Sequence, residues 1–202
     1  MLAPKLQKEL DQGKSALLSS KFEKASSDFQ RAYQAAPGNP QVNFLLGVSF
    51  MALNNLRQAD TYLGQAYSIY PRDPATLTAI GILRVKQSNF ASAISSLKAA
   101  IGLNRKIYLP HLVLAGALLA ENEFSESLQE ARIALGQGKR QASEANFIVG
   151  EALARMGQNH AALKPLQEFV KDCPNDPAVT DARKLMGALV AKANVTAART
   201  SP

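Results

Sequence analysis

The 202-residue sequence has one cysteine, two histidines and no tryptophan. A single thiol, Cys173, cannot close an internal disulfide and cannot supply a zinc cluster. His111 and His160 stand far apart, and neither is spaced from a carboxylate as a metal or catalytic pair would be. There is no G-x-S-x-G, no phosphate-loop glycine run and no metal-ligand pattern. The chain is therefore read as a non-enzyme without a cofactor. No apolar run reaches the length of about 18–20 residues that a membrane-crossing helix needs. The first twenty residues carry charges throughout and lack the apolar core of a secretory signal. As it stands the chain is expected to be cytoplasmic. If it is a piece of a larger protein, a periplasmic or secreted location is the alternative. Strand-type alternation is missing as well, so the fold class is all-α.

What the sequence has is repetition. Gly13 is followed by Ala25, Phe29, Ala32 and Pro37; Gly47 by Ala59, Leu63, Ala66 and Pro71; Gly81 by Ala93, Leu97 and Ala100. The step is 34 residues, a period that means stacked helical units rather than one closed core. Numbering each unit from 1, copies start at Leu6, Pro40, Pro74, Tyr108 and Ser143, the step to Ser143 being 35, with a partial sixth at Pro177. Apolar spacing inside a copy is helical, as in Leu45, Leu46, Phe50 and Leu53. Asn39-Pro40, Asp73-Pro74 and Asp176-Pro177 mark helix starts: the polar residue caps free N–H groups, and proline fits the first helical position. Asn54-Asn55, Gln87-Ser88-Asn89 and Gly157-Gln158-Asn159 mark the breaks within copies. Eleven helices of about 13–16 residues are expected, five pairs and a cap over 177–194 that covers the fifth pair with Val179, Leu185, Met186 and Leu189, with residues 1–5 and 195–202 disordered. The small residues at repeat positions 8 and 20, such as Gly47 and Ala59, are expected to meet where the paired helices cross. Pro165, inside a helix, predicts a slight bend.

These signatures resemble the tetratricopeptide repeat, over residues 6–193. Asn43, Leu46, Gly47 and Phe50 carry the first-helix pattern in copy two, and Asn146, Val149, Gly150 and Leu153 carry it in copy five. Ala59, Leu63 and Ala66, then Ala162, Leu166 and Phe169, carry the second-helix pattern. Copy one departs from it at Glu9, Gln12 and Ala16; copies three and four end in Arg105 and Lys139 instead of proline. The resemblance implies one right-handed superhelical solenoid of antiparallel helix pairs over 6–194. It also implies a protein–protein interaction scaffold that binds a peptide or protein segment in a concave groove lined by the first helices. Carried over by repeat position, that groove comprises Leu17; Phe44, Val48 and Met51; Ile82, Val85 and Lys86; Leu112 and Leu119; and Phe147, Glu151 and Arg155. It would be apolar in the middle and charged at its ends. The clamp by which some relatives hold acidic chaperone tails is missing, because Leu10, Lys14 and Leu45 occupy its positions.

The net charge of +7 raises nucleic acid as a partner. No basic run is interleaved with aromatics, so nucleic acid is disfavoured and a diffuse basic surface is the simpler account. Glu121, Glu123, Glu126 and Glu130 read as a solvated helix start, His111 as a packing residue, His160 as a surface one and Cys173 as an incidental thiol. Asn194-Val195-Thr196 is a bare glycosylation tripeptide. A monomer is expected, with a homo-oligomer possible. Two other readings stay open: a repeat domain that organises assembly in a larger secreted or envelope bacterial protein, and an accessory module of an enzyme or a weak nucleic-acid binder.

Overall fold

The computed structural model describes residues 4–200, with side chains described as far as residue 192. Among the described residues there are eleven α-helices and no strand. The residues of the expected solenoid fall into two compact units, 1–103 and 104–202.

The first unit holds three antiparallel pairs: α1 (Pro4–Leu18) with α2 (Phe22–Ala35), α3 (Pro40–Ala52) with α4 (Leu56–Ile69), and α5 (Pro74–Lys86) with α6 (Phe90–Leu103). The second unit pairs α7 (Tyr108–Ala120) with α8 (Phe124–Gly138) and α9 (Ala145–Arg155) with α10 (Asn159–Asp172), then adds α11 (Val179–Thr200). A short 3₁₀ helix, Lys139–Ala142, separates α8 from α9. That insertion delays α9 to Ala145, where Ser143 was expected, and shortens it to 11 residues. Pro4 and Lys5, expected outside the first helix, form its first turn, a position proline favours. The alanine-rich end of the sequence continues α11 to Thr200, 22 residues in all, because alanine is the best helix former. Residues 1–3, 201 and 202 lie outside the described residues, as does the Asn194 side chain of the glycosylation tripeptide.

Caps form at two of the three starts the sequence marked. The Asn39 carboxamide accepts from the Gln41 and Val42 N–H groups, and the Asp73 carboxylate from Ala75 and Thr76. Ahead of α11, Asp176 Oδ1 accepts from the Ala178 N–H at 2.8 Å within a turn, and the helix starts at Val179, two residues after the expected Pro177. Every turn inside a pair is built alike. Ser20, Asn54, Ser88, Asn122 and Gly157, all at repeat position 15, have positive φ. The next residue's N–H donates back five residues, as Asn55 does to the Phe50 carbonyl at 2.8 Å and Asn89 to Arg84 at 2.9 Å. This is the Schellman closure, which satisfies the last free carbonyls of the first helix.

The pairs close through one size-matched contact. A Cβ built on Gly47 would lie 2.7 Å from Leu63 Cγ; on Gly81, 2.5 Å from Leu97 Cγ; on Gly150, 2.5 Å from Leu166 Cγ; on Gly13 it would overlap the Phe29 ring. The expected opposition of Gly47 to Ala59 is thus corrected: position 8 meets position 24. A helical side chain leans toward its own N-terminus, so Leu63 covers the turn on which Ala59 sits. Ala59 is fully buried beneath it. The fourth pair solves the same problem differently. There position 8 is Ala115 and position 24 is Ala131, both fully buried, and Ser127 Oγ donates to the Ala115 carbonyl at 2.8 Å.

In the first unit the core runs from Leu6 and Leu10 through Phe29, Leu46 and Leu63 to Leu83. Tyr62 stacks on Phe50 at 5.5 Å and meets Tyr33 edge-on at 5.3 Å. Arg84, at a position the pattern reserves for an apolar residue, reaches Asp60 at 2.8 Å instead. In the second unit Leu153, Leu166 and Phe169 are covered by Val179, Ala182 and Leu189 of α11, with Leu185 and Met186 partly buried beside them. Pro165 sits inside α10 without ending it.

Candidate functional site

The first helices present repeat positions 5, 9 and 12 on one face because these positions are three to four residues apart. In the first unit that face carries Leu17, Phe44, Val48 and Ile82, half-buried at the edge of the core, with Val85 half-buried and Lys86 exposed. Met51 is only 9% exposed and belongs to the core. Beside Phe44 lies a cavity of about 320 Å³ lined by Pro40, Gln41, Tyr70, Asp73, Ala75 and Thr76. Asp73 is committed there to capping α5, and Thr76 Oγ1 donates to its Oδ2 at 2.6 Å.

In the second unit Leu119 is half-buried, while Leu112 is 8% exposed and sits in the core cluster. Phe147, Glu151 and Arg155 line a second cavity, of about 310 Å³, with Ala154. Its other wall is α11: Asp181, Leu185, Leu189 and Lys192. Phe147 is held by Phe169, ring centroids 5.3 Å apart. Glu151 and Arg155 pair at 3.1 Å along α9. The floor is apolar and the rim carries both signs of charge.

The structure therefore brings Phe147, Glu151 and Arg155 together, and places Phe44 in a cavity of its own. It withdraws Met51 and Leu112 into the core packing of their units. Sequence reasoning missed Tyr70 and, on α11, Asp181 and Lys192; Leu185 and Leu189 were expected to cover the last pair, and they do. The signal for Tyr70 was a large aromatic beside a turn proline, Pro71. Apolar spacing marked the covering face of α11 but not the two charged residues at its rim. Leu10 and Leu45, at clamp positions, are buried and offer no charge to a carboxylate.

His111 is a packing residue, as read, but a polar one. It is 4% exposed; Nδ1 lies 2.5 Å from Glu130 Oε2 and Nε2 3.2 Å from the Arg105 carbonyl oxygen. Glu130 is thus no part of a solvated acidic surface. Its position on α8 faces the position of His111 on α7. His160 is exposed in the first turn of α10. Burial is the main cause that pushes the Cys173 thiol up, with Glu144, Asp176 and Asp172 adding to it. Among the described residues no group of three or more His, Cys, Asp or Glu could hold a metal ion. No helix among them is long and apolar enough to cross a membrane.

The sequence model of the tetratricopeptide repeat matches residues 10–74, 78–142 and 112–177. The chain belongs to the tetratricopeptide repeat family, whose members serve as protein–protein interaction scaffolds. It is 33% identical over 84 residues to anaphase-promoting complex subunit CDC16 of Saccharomyces cerevisiae, a match covering 42% of this chain and 10% of that protein. It is 25% identical over 156 residues to anaphase-promoting complex subunit 3 of Schizosaccharomyces pombe, covering 76% of this chain and 23% of that one. The chain thus spans a small part of these relatives' length. Among solved structures, the Cut9–Hcn1 hetero-tetramer superposes with a TM-score of 0.81 at 18% identity, over 90% of this chain and 35% of that one. YrrB, described as having an unusual peptide-binding site, superposes at 0.67 and 16% identity, over 87% and 90%. A thermophilic repeat protein of Thermus thermophilus gives 0.71 at 18%, over 92% and 98%. At these identities the structures share the fold.

Proposed function

We propose that the chain is a non-enzymatic scaffold that grips apolar side chains of a peptide or protein segment on its first-helix face. The observation that carries this reading is the cavity between α9 and α11, whose lining contains Phe147, Glu151 and Arg155 at the positions the family uses for ligands. Its apolar floor, with a rim of mixed charge, suits a side chain of leucine or phenylalanine size flanked by polar residues. Phe44, beside its own cavity in the first unit, offers a second anchor point. Magnitudes favour apolar anchoring. Burying one such side chain contributes roughly 1.5–3 kcal/mol, while an exposed ion pair contributes about 0–1 kcal/mol. The assemblies named for its relatives are consistent with protein partners.

A display library of random twelve-residue peptides, selected on the parent, tests the reading. Enriched peptides should carry apolar anchors and should lose at least tenfold in affinity against Phe147→Asp or Phe44→Asp, with helix content by circular dichroism unchanged. Peptides that bind both variants as well as the parent would place the binding surface elsewhere.

A further inference from the structure

Helix directions put Arg105 and Lys106, ahead of α7, on the same edge of the second unit as Lys139 and Arg140, after α8. All four are exposed, and none makes an ion pair among the described residues. The two segments are fastened side by side. The Arg105 carbonyl accepts from Gln137 Nε2 at 2.7 Å and from His111 Nε2 at 3.2 Å. Asn104 Oδ1 accepts from the Lys106 N–H at 3.0 Å. The edge is also strained. Lys139 has φ 49° and ψ −126°, a conformation glycine takes without steric cost. Glycine stands instead at 138, where a Cβ would lie 2.7 Å from Tyr108 Cγ and 2.6 Å from the Ala142 Cβ. The backbone thus holds a lysine, at a cost in strain, where it points away from the packed surface.

We infer that this edge docks a short acidic polypeptide segment through Arg105, Lys106, Lys139 and Arg140. The limits of the patch choose the occupant. On the next turn of the same edge, Glu144, Asp172 and Asp176 gather around Cys173. At the opposite ends of α7 and α8, about 20 Å away at 1.5 Å per residue, stand Glu121 and Glu123. The positive surface is therefore about one helix pair wide, with axes roughly 8–10 Å apart. A nucleic-acid duplex or a membrane plane would press its phosphates onto the flanking carboxylates. An extended run of about four to six acidic residues, at roughly 3.3 Å each, meets only the positive charges. This surface is separate from the first-helix face and does not depend on it.

The test uses the full chain and a fluorescein-labelled octaglutamate peptide, read by anisotropy at low and at physiological salt. Replacing Arg105, Lys106, Lys139 and Arg140 by alanine should weaken binding more than tenfold, about two- to fivefold per charge for exposed pairs. A control with the same loss of charge, Lys8, Arg57, Arg132 and Lys164 to alanine, should change it less than twofold. Phe147→Asp should leave it unchanged. Lys139→Gly should weaken binding while the melting temperature holds or rises, a split that a merely structural lysine would not give. If the quadruple variant loses helix content, Lys139→Gln and Arg140→Gln singly should each weaken binding by about twofold or more. Equal loss in the control, no loss in Lys139→Gly, or displacement of the peptide by lower concentrations of duplex DNA or phosphatidylserine vesicles would each overturn the proposal.

Discussion

Gly81→Ala should change sign with its partner. A Cβ at 81 would lie 2.5 Å from Leu97 Cγ and 2.7 Å from its Cδ2. Leu97 is fully buried, so it has nowhere to retreat. Overpacking of this kind costs about 1–3 kcal/mol, against which alanine gains about 1 kcal/mol over glycine in a helix interior. The net effect in the parent is a loss of about 1 kcal/mol. Leu97→Ala alone should cost about 2–5 kcal/mol through the cavity it leaves. In that background the clash is gone, and Gly81→Ala should stabilise by about 1 kcal/mol through propensity and partial filling. The double variant reproduces the pair that the fourth repeat uses, Ala115 with Ala131. Urea unfolding followed by circular dichroism at 222 nm gives the four stabilities of the cycle. The expected coupling of about 1–3 kcal/mol lies within the range for residues in contact. If the two effects add to within about 0.5 kcal/mol, as for independent sites, position 8 does not meet position 24.

His111→Ala strands the Glu130 carboxylate and removes one bond from the Arg105 carbonyl, so it should cost about 1–3 kcal/mol in urea unfolding, while exposed His160→Ala should stay within about 0.5 kcal/mol. Truncation after Asn175 uncovers Leu166 and Phe169, and light scattering should show association that the parent does not show. Cys173, whose thiol is pushed up by burial and by Glu144, Asp176 and Asp172, should react with iodoacetamide more slowly than glutathione at pH 7.5. Because less of it is thiolate at neutral pH, its rate should still be climbing with pH where that of glutathione has levelled.

The sequence alone determined the period, the order of helices and most of their ends. These are local matters: Asn39 and Asp73 cap because their side chains reach their own helix, and a 34-residue step is visible without any packing. It did not locate the delay of α9, because the 3₁₀ turn at Lys139–Ala142 depends on Gly138 lying against Tyr108. It identified position 8 as a close approach but chose Ala59 over Leu63, since a one-dimensional pattern does not show which way a side chain leans. For the candidate site, Phe44, Phe147, Glu151 and Arg155, expected in a groove from their repeat positions, line cavities. The same positions could not separate these from Met51 and Leu112, which neighbouring helices bury. Burial is a property of the space between elements. Only the tertiary structure fixes that space, and with it the place of Asp181 and Lys192 opposite Phe147 and the pairing of Glu130 with His111.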